Sequence, residues 1–490
     1  MGFPDLLYLT EPNLPKMELS VFEDLQLLNF IPSYIAEAVS VPCDENDIPA
    51  RRQLMTALED THNRNKLEAL LNAITDVCEY DERLNDSRCT NERNLAFLTL
   101  TNAVLNFASL AADFNCGGVL CERFSEFFSD FLNKTEESGL AKDAQRALPM
   151  TEAFSKGAFT LHDRIMTLRR GNGVTYIERM EKCARDLGLD GFDSDLFPAR
   201  QFSPAVINAV AKLYPDEFRV FGEFYEKHRG FYDAEITNYK VQLEYYRTVL
   251  ALFDRIKAAG IPLCYPDIST EREIRISNAY DISLLAKNEK NIVPNDIIFN
   301  KDEPFFYLTG ANGGGKTTYL RTVGIALLLF LNGCPVPCEG GTVGPIDCIY
   351  THFPRDERFD GTGRFVEEIN RTDKIRRSMT DISVVLLNET YSSTSEENAV
   401  IHTVALAEEL YGRGIFGLYI THQHGIGKTE IPYLNVIIDR NDANRRTFKI
   451  AHQKNIGGSF ASDILEKYAL TREALEKRFA GGTDEIQPAE

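Results

Sequence analysis

The stretch from Gly310 to Thr317 places glycines, a lysine and a hydroxyl residue at the spacing of a phosphate-binding loop. It reads Gly-Ala-Asn-Gly-Gly-Gly-Lys-Thr, which matches the pattern G-x-x-x-x-G-K-[ST] in full. An apolar strand-like run precedes it and an apolar helix-like run follows it. Glycines let the backbone curl so that successive N–H groups point at phosphate oxygens, and a helix N-terminus adds a favourable dipole. The pattern therefore predicts nucleotide binding.

Individual positions of this loop have separate expected roles. Lys316 can reach the β- and γ-phosphates of a nucleotide, and Thr317 can ligate Mg²⁺. A chance match in a chain of this length is on the order of a few per cent at average composition, and the flanking strand and helix patterns lower that figure further. The loop residues expected to bind nucleotide are Gly310, Ala311, Asn312, Gly313, Gly314, Gly315, Lys316, Thr317 and Thr318.

A second group of residues could supply the metal ligand and the water-activating carboxylate that hydrolysis needs in addition to the loop. The apolar run from Ile382 ends in Asn388 and Glu389, and Glu389 is placed to polarise an attacking water. Asn388 stands where an Asp is usual, and it offers a carbonyl oxygen without the charge. We expect Thr317, Asn388 and Glu389 to hold the metal ion. A surface glutamate after a core strand is the alternative interpretation of Glu389.

Two further features follow the same order along the chain. His422 ends a strand-like run beyond the acidic pair, where it can contact the γ-phosphate and act with Glu389 in catalysis. His424 is its rival, and an ordinary loop histidine is the alternative. Gly361, Thr362 and Gly363 open a predicted helix. A glycine-rich turn at a helix N-terminus can bind the γ-phosphate of a neighbouring subunit's ATP.

The elements that position these residues divide the chain in two. Residues 1–268 have helical apolar spacing, as from Arg51 to Leu84, and predict an all-α core and lever domain. Pro262 and Pro266 mark a linker. Residues 269–490 predict an α/β ATPase domain with a largely parallel sheet and a short helical C-terminal tail. Its predicted strands are Glu273 to Ile276, Ile297 to Phe299, Phe305 to Leu308, Val384 to Leu387, Gly417 to Ile420, Val436 to Asp439 and Thr447 to Ala451.

Composition limits the classes of function. The 490 residues are 43% hydrophobic and 26% charged, as in a soluble globular protein, and carry a net charge of −20. Because phosphate contacts supply most non-specific DNA affinity, an acidic chain must concentrate its Lys and Arg locally to bind DNA. The longest apolar run, Val323 to Leu331, is far shorter than a membrane span, and we expect no membrane partner. Ten scattered cysteines without a CxxC pair favour free thiols in a reducing cytoplasm over a zinc site.

The motif order resembles that of an ABC-type P-loop ATPase. The residues within the motifs resemble those of the MutS family of DNA mismatch-repair proteins. The resemblance is strong over about 275–465 and faint over about 15–270. The segments that carry it are Val-Pro-Asn-Asp at 293–296, Thr309 to Arg321, Asn332 to Pro337, Gly344 to Asp347, Thr421-His422 and Gly457 to Ile464.

The resemblance implies a dimer, either a homodimer or a heterodimer of paralogues, with two composite ATP sites that use Mg²⁺. Rearrangement at these sites would pass along helical levers to DNA. Asn295 would lie near the nucleotide, and Gly361 to Arg364 would act on the neighbouring subunit's ATP. The implied location is cytoplasmic, nucleoid-associated or nuclear if the protein acts on DNA.

This sequence departs from the family pattern at the site itself. Asn388 replaces the Asp on the Mg²⁺ side, and Gly363 replaces a trans-acting Ser. Ile292 stands where an aromatic residue would stack on adenine. The small loop Gly-Arg-Gly-Thr-Ser after the acidic pair, of the kind that crosses to a partner subunit, reads Tyr391-Ser-Ser-Thr-Ser395 here. The family's mismatch-sensing domain has no room in this sequence.

The expected function is therefore a MutS-like ATPase that couples nucleotide-driven dimer rearrangement to DNA binding in repair or recombination, without recognising mismatches by itself. Two alternatives stay open. A nucleotide-gated interaction protein that does not bind DNA is favoured by the net charge of −20. A slow or degenerate ATPase is favoured by Asn388 and Gly363.

Overall fold

The fold combines a helical part with an α/β part, as the sequence predicts. A computed structural model describes residues 2–155, 158–162, 165–169, 204–287, 289, 291–310, 313–354, 363–422, 426, 429–438 and 446–453. The chain forms two compact units. Unit 1 comprises Met1–Thr10 and Gln53–Arg247, and unit 2 comprises Glu11–Arg52 and Thr248–Glu490. The boundary expected at residue 268 falls inside unit 2, which also takes in residues 11–52.

The elements are numbered in chain order. The helices are α1 (Leu19–Asp24), α2 (Ser33–Ala38), α3 (Asp47–Ala57), α4 (Thr61–Asn85), α5 (Thr90–Ala112), α6 (Val119–Glu137), α7 (Leu140–Ser155), α8 (Pro204–Leu213), α9 (Pro215–His228), α10 (Tyr239–Ala258), α11 (Lys316–Leu331), α12 (Arg364–Ser378) and α13 (Glu396–Gly412). The strands are β1 (Ala158–His162), β2 (Ile165–Arg169), β3 (Asp267–Ile268), β4 (Ile274–Ala279), β5 (Asn295–Phe299), β6 (Phe305–Thr309), β7 (Gly340–Val343), β8 (Ile349–His352), β9 (Val384–Asn388), β10 (Phe416–Ile420), β11 (Tyr433–Ile438) and β12 (Arg446–Gln453).

Unit 1 is built mainly from helices α4 to α9. Asp60 caps α4 by accepting hydrogen bonds from the backbone N–H groups of His62 and Asn63, which would otherwise lack partners. One apolar stripe of α4 is buried, and this helix packs along α5. The strands β1 and β2 pair antiparallel.

Helix α5 is a long and strongly apolar helix of unit 1. By length and composition it could cross a membrane, and half of its apolar window is buried inside the structure. It packs against α4, α6, α7 and α9, and its rings Phe97 and Phe107 are almost fully buried. This is the environment of a core helix, because neighbouring helices cover its apolar side chains.

Unit 2 contains two sheets. The larger sheet has the order β12-β11-β6-β10-β9-β8, in which all strands are parallel except β12 at one edge. The smaller sheet has the order β3-β7-β4-β5. Strand β10 lies between β6 and β9, and all three are parallel. The loop after β6 and the residues Asn388 and Glu389 at the end of β9 therefore lie at the same edge of the larger sheet, where the carboxyl ends of the strands meet.

Helix α11 lies at the centre of unit 2. Nearly all of its residues are buried, because it contacts β8, β9 and β10 of the larger sheet and β4 of the smaller one. A helix that is apolar on every face is stable only when it is enclosed in this way. Its first residue is Lys316, so the most buried helix of the unit holds one end of the predicted phosphate-binding loop.

The segment 11–52 packs on this core, although the sequence places it in the helical domain. Leu25 lies so close to Gly324 that a Cβ on the glycine would come within 2.4 Å of the leucine Cδ2. The buried Arg51 donates a hydrogen bond of 3.0 Å to Asn332, just beyond the end of α11. Thr351 of β8 donates a bond of 2.7 Å to Asp24 of α1. These contacts make residues 11–52 part of the α/β unit.

Candidate nucleotide site

The loop between β6 and α11 has the backbone geometry that its glycines permit. Gly310, Gly313 and Gly315 have φ values of +122°, +70° and +95°, in the region that side-chain-bearing residues rarely adopt. A Cβ on Gly310 would also lie 3.1 Å from the Cβ of Val436 on β11. Gly315 directly precedes the first residue of α11. The loop therefore has the conformational freedom that a phosphate cradle needs.

Lys316 is buried at the start of α11. Its Nζ donates a hydrogen bond of 2.8 Å to the carbonyl oxygen of Gly310, across the mouth of the loop, and the residue is only 6% exposed. Burial lowers the pKa of this ammonium to about 8, the nearby Glu389 carboxylate opposes that shift, and Arg446 adds to it. An anion that enters the loop would stabilise the protonated lysine, because an opposite charge favours the charged form.

Nucleotide affinity should therefore depend on pH. Bound phosphate raises the pKa of Lys316 above the value of about 8 in the free protein, so binding takes up a proton once the free lysine begins to lose it. Affinity for ATP should be constant below that pH and fall by up to about tenfold per pH unit above it. Isothermal titration with a non-hydrolysable ATP analogue from about pH 7 to about pH 9, at fixed ionic strength, measures this. A flat profile would show that Lys316 stays fully protonated without the ligand.

Glu389 and His422 form a hydrogen bond where β9 and β10 end. Glu389 Oε1 lies 3.1 Å from His422 Nε2, and both side chains are partly exposed. The hydrogen bond from His422 lowers the pKa of Glu389, burial opposes this, and the charges of His422 and Lys316 add to the lowering. Glu389 has a φ of +49°, and its N–H donates to the carbonyl of Ile420 on β10. The structure thus brings together the two residues predicted to be catalytic and places Lys316 within electrostatic reach.

Asn388 presents a buried oxygen with no partner among the described residues. The residue is 6% exposed, and its Oδ1 accepts no hydrogen bond there. Leaving a buried polar atom unpaired is unfavourable, so such an atom commonly marks a position for water or an ion. An amide oxygen here and the half-buried Thr317 hydroxyl fit a Mg²⁺ ion that takes its remaining ligands from phosphates and water. In the described part of the chain, no group of three His, Cys, Asp or Glu residues could hold a metal by itself.

Asn295 lies at the start of β5 and connects the smaller sheet to β12. Its side chain donates a hydrogen bond of 3.0 Å to the carbonyl of Phe448 and accepts one of 2.8 Å from the N–H of Ile450. Both ends of the amide are therefore engaged by the β12 backbone. Asn295 was predicted to lie near the nucleotide, and in the structure it holds the strand that borders the loop.

Phe448 is a residue of this site that sequence reasoning did not single out. It has a φ of +56° where the β11–β12 pairing shifts register, and it is 45% exposed. A Cβ on Gly315 would lie 3.3 Å from its ring. A bulge redirects side chains, and an exposed ring beside the phosphate loop offers a surface on which a base can stack. Nothing in the local sequence signals such a bulge.

Some of the remaining predicted site residues are described by the structure, and others lie outside the described part of the chain. Gly363 is exposed and directly precedes α12. Gly313, Gly314 and Thr318 lie in the loop and the first turn of α11. Ala311, Asn312, Gly361, Thr362 and the rival His424 lie outside the described residues.

Comparison with known proteins agrees with this arrangement. Residues 306–465, from β6 to beyond β12, match the family model of MutS domain V. This match and the curated relatives support membership of the MutS family. The matched segment contains Lys316, Asn388, Glu389 and His422, and it excludes Asn295.

The curated relatives are longer proteins. DNA mismatch repair protein spellchecker 1 of Drosophila melanogaster is 26% identical over 362 residues, which are 63% of this chain and 39% of that protein. DNA mismatch repair protein MSH2 of Saccharomyces cerevisiae is 26% identical over 281 residues, 54% of this chain and 28% of that protein. DNA mismatch repair protein Msh3 of Homo sapiens is 31% identical over 193 residues, 38% of this chain and 17% of that protein. The chain thus spans well under half the length of each of these relatives.

Proposed function

We propose that this MutS-family chain binds ATP with Mg²⁺ and hydrolyses it, and that it acts in DNA repair or recombination. The observation that carries the proposal is the convergence of Lys316 with the Glu389–His422 pair at one edge of the parallel sheet. Lys316 can bind a negatively charged phosphate, and the Glu389–His422 pair can activate a water molecule.

The proposed mechanism divides the work among these residues. The loop N–H groups and Lys316 hold the phosphates, and Phe448 offers its ring to the base. Glu389, kept ionised by His422, accepts a hydrogen bond from the attacking water and orients it toward the γ-phosphate. When bound through Thr317 and Asn388, Mg²⁺ would neutralise charge on the phosphates. Because Asn388 is uncharged, it would hold that ion less tightly than an aspartate would, and we expect slow turnover for this reason.

A second subunit is part of the proposal. Helix α12 presents the exposed Gly363 at its start, and Val366 on this helix is 49% exposed. Ile401 on α13 is 64% exposed. We propose that this end of α12 faces the ATP of a second copy or of a paralogue. The proposed role in DNA metabolism draws on the names of the relatives, which are DNA mismatch repair proteins.

The test measures ATP turnover and DNA binding on the same preparation. We expect Mg²⁺-dependent hydrolysis, and binding of branched or duplex DNA at low salt that ATP strengthens or releases. Gel-shift assays on duplex, mismatched and branched DNA, with and without ATP, give the second readout. Turnover without DNA binding at low salt would refute the DNA role and favour a nucleotide-gated interaction protein, to which the net charge of −20 also points.

A further inference from the structure

The loop that follows Glu389 is anchored to α12 of the same chain by Tyr391. The tyrosine is 5% exposed, and its hydroxyl donates a hydrogen bond of 2.8 Å to Thr372 Oγ1 in the middle of α12. Its ring lies 6.3 Å from that of Phe365 and 5.2 Å from that of His402. The structure thus ties the first residues of this loop to their own subunit.

Two serines add a second attachment to the same helix. Ser393 Oγ donates a hydrogen bond of 2.8 Å to Glu368 Oε1, and Ser392 Oγ lies 3.4 Å from the same oxygen. Glu368 is 6% exposed, whereas Ser393 is half-buried and Ser392 is exposed, so these bonds are partly buried. Thr372 in turn donates to the backbone carbonyl of Glu368. The loop and the first half of α12 therefore share one hydrogen-bond network, which is buried at Thr372 and partly buried at the serines.

The turn that this network holds has a strained backbone. Glu389 and Tyr391 have φ values of +49° and +64°, and neither is a glycine. Each such residue costs on the order of 1–3 kcal/mol, and the conformation persists only where surrounding contacts enforce it. The buried ring and hydroxyl of Tyr391 supply such contacts. The orientation of the Glu389 carboxylate thus depends on α12 through Tyr391, which lies two residues after Glu389 and bonds to that helix.

The other side of α12 is held by the N-terminal segment of unit 2. Arg371 lies 3.7 Å from the buried Asp24 of α1 and donates a hydrogen bond to the carbonyl of Phe353. Lys374 pairs with Glu18 at 2.5 Å. Because Tyr391 and Ser393 bond the loop to α12, a displacement of α12 would be transmitted to the turn at Glu389.

We infer that Tyr391 is a positioning residue that couples Glu389 to α12 and to the Gly363 end of that helix. This inference rests on the proposed function, since it concerns the orientation of the proposed water-activating carboxylate. Because Tyr391 links the two, the position of α12 affects the rate of ATP hydrolysis. Movement of α12 by a partner would change the rate of hydrolysis and leave ATP affinity unchanged.

Tyr391→Phe tests the inference because it keeps the ring and removes the bond to Thr372. It should lower kcat for ATP by about two- to tenfold, the effect of one hydrogen bond, with KM unchanged within about twofold. Thr372→Val should have the same effect, and the double variant should be no slower than either single one. Thr372→Ser restores the hydroxyl and should restore kcat.

Tyr350→Phe is the matched control. Tyr350 donates an equivalent bond of 2.8 Å to Ser378, at the far end of the same helix, and makes no contact with the loop. It should lower thermal stability as much as Tyr391→Phe and leave kcat unchanged. Wild-type kcat in folded Tyr391→Phe, or equal loss in both variants, would overturn the inference. Failure of the proposed function would be seen separately, as wild-type turnover that is absent or insensitive to Glu389→Gln.

Discussion

Glu389→Gln should lower kcat for ATP hydrolysis by about 100-fold or more and leave ATP affinity within a few-fold of the wild-type value. The substitution keeps the size and shape of the side chain and removes the charge that would orient the water. It also removes the carboxylate that bonds to His422, whose Nε2 lies 3.1 Å from Glu389 Oε1. Binding depends on the loop and Lys316, which this change does not touch.

Single-turnover hydrolysis and equilibrium ATP binding, measured on the same protein, separate the two effects. Glu397→Gln is the control, because Glu397 is an exposed residue in the first turn of α13 and lies outside the site. Thermal unfolding should show similar stability in the wild type and both variants. If Glu389→Gln hydrolyses ATP at the wild-type rate, another residue activates the water and the proposed role of Glu389 is wrong.

The central part of the site could be predicted from the sequence because its signals are local. The phosphate-loop pattern, the strand before it and the helix after it lie within one continuous stretch. The predicted strand runs at β4, β5, β6, β9, β10, β11 and β12 all appear in the structure. These runs are short and apolar or alternate in polarity, and such patterns report burial directly.

Other parts of unit 2 depend on packing between distant segments and were not predictable in this way. Strand β7 begins with Gly340 and Gly341, which have low strand propensity. A Cβ on Gly341 would lie 2.2 Å from the carbonyl oxygen of Arg275, so the glycine is needed for β7 to approach β4. Leu25 fits against Gly324 for a similar reason, 299 positions apart in the numbering of the chain. Neither glycine indicates its distant neighbour.

Two site residues also depend on long-range geometry. The sequence shows Phe448 as an ordinary strand residue, and only the register shift beside Val436 turns its ring toward the loop. Tyr391 stands out in the sequence as a departure from a glycine-containing loop. Its bond to Thr372 explains how a large side chain is accommodated there. The tyrosine at this position could be identified from the sequence as unusual. Its role could be inferred only once the position of α12 was known.

Lys316→Ala should weaken ATP binding by about 100-fold or more, because the ammonium would form charge-assisted hydrogen bonds with two phosphates, each contributing about 1.5–3 kcal/mol. The same change should leave the stability of the nucleotide-free protein unchanged or raised. Burial disfavours the charged form of this lysine and lowers its pKa to about 8, so the folded protein gains little from the charge without a ligand.

Thermal unfolding with and without a non-hydrolysable ATP analogue measures both effects at once. The wild-type Tm should rise with ligand concentration, since a ligand that binds only the folded state stabilises it, and the Tm of Lys316→Ala should rise only at roughly 100-fold higher concentrations. Lys374→Ala is the control, because Lys374 is an exposed cation on α12 that pairs with Glu18 away from the loop. Equal ligand-induced changes in Tm for wild type and Lys316→Ala would mean that the nucleotide binds elsewhere. If Lys316→Ala keeps its stability without ligand and loses the ligand-induced rise in Tm, Lys316 is the residue of the buried helix α11 that binds the phosphates.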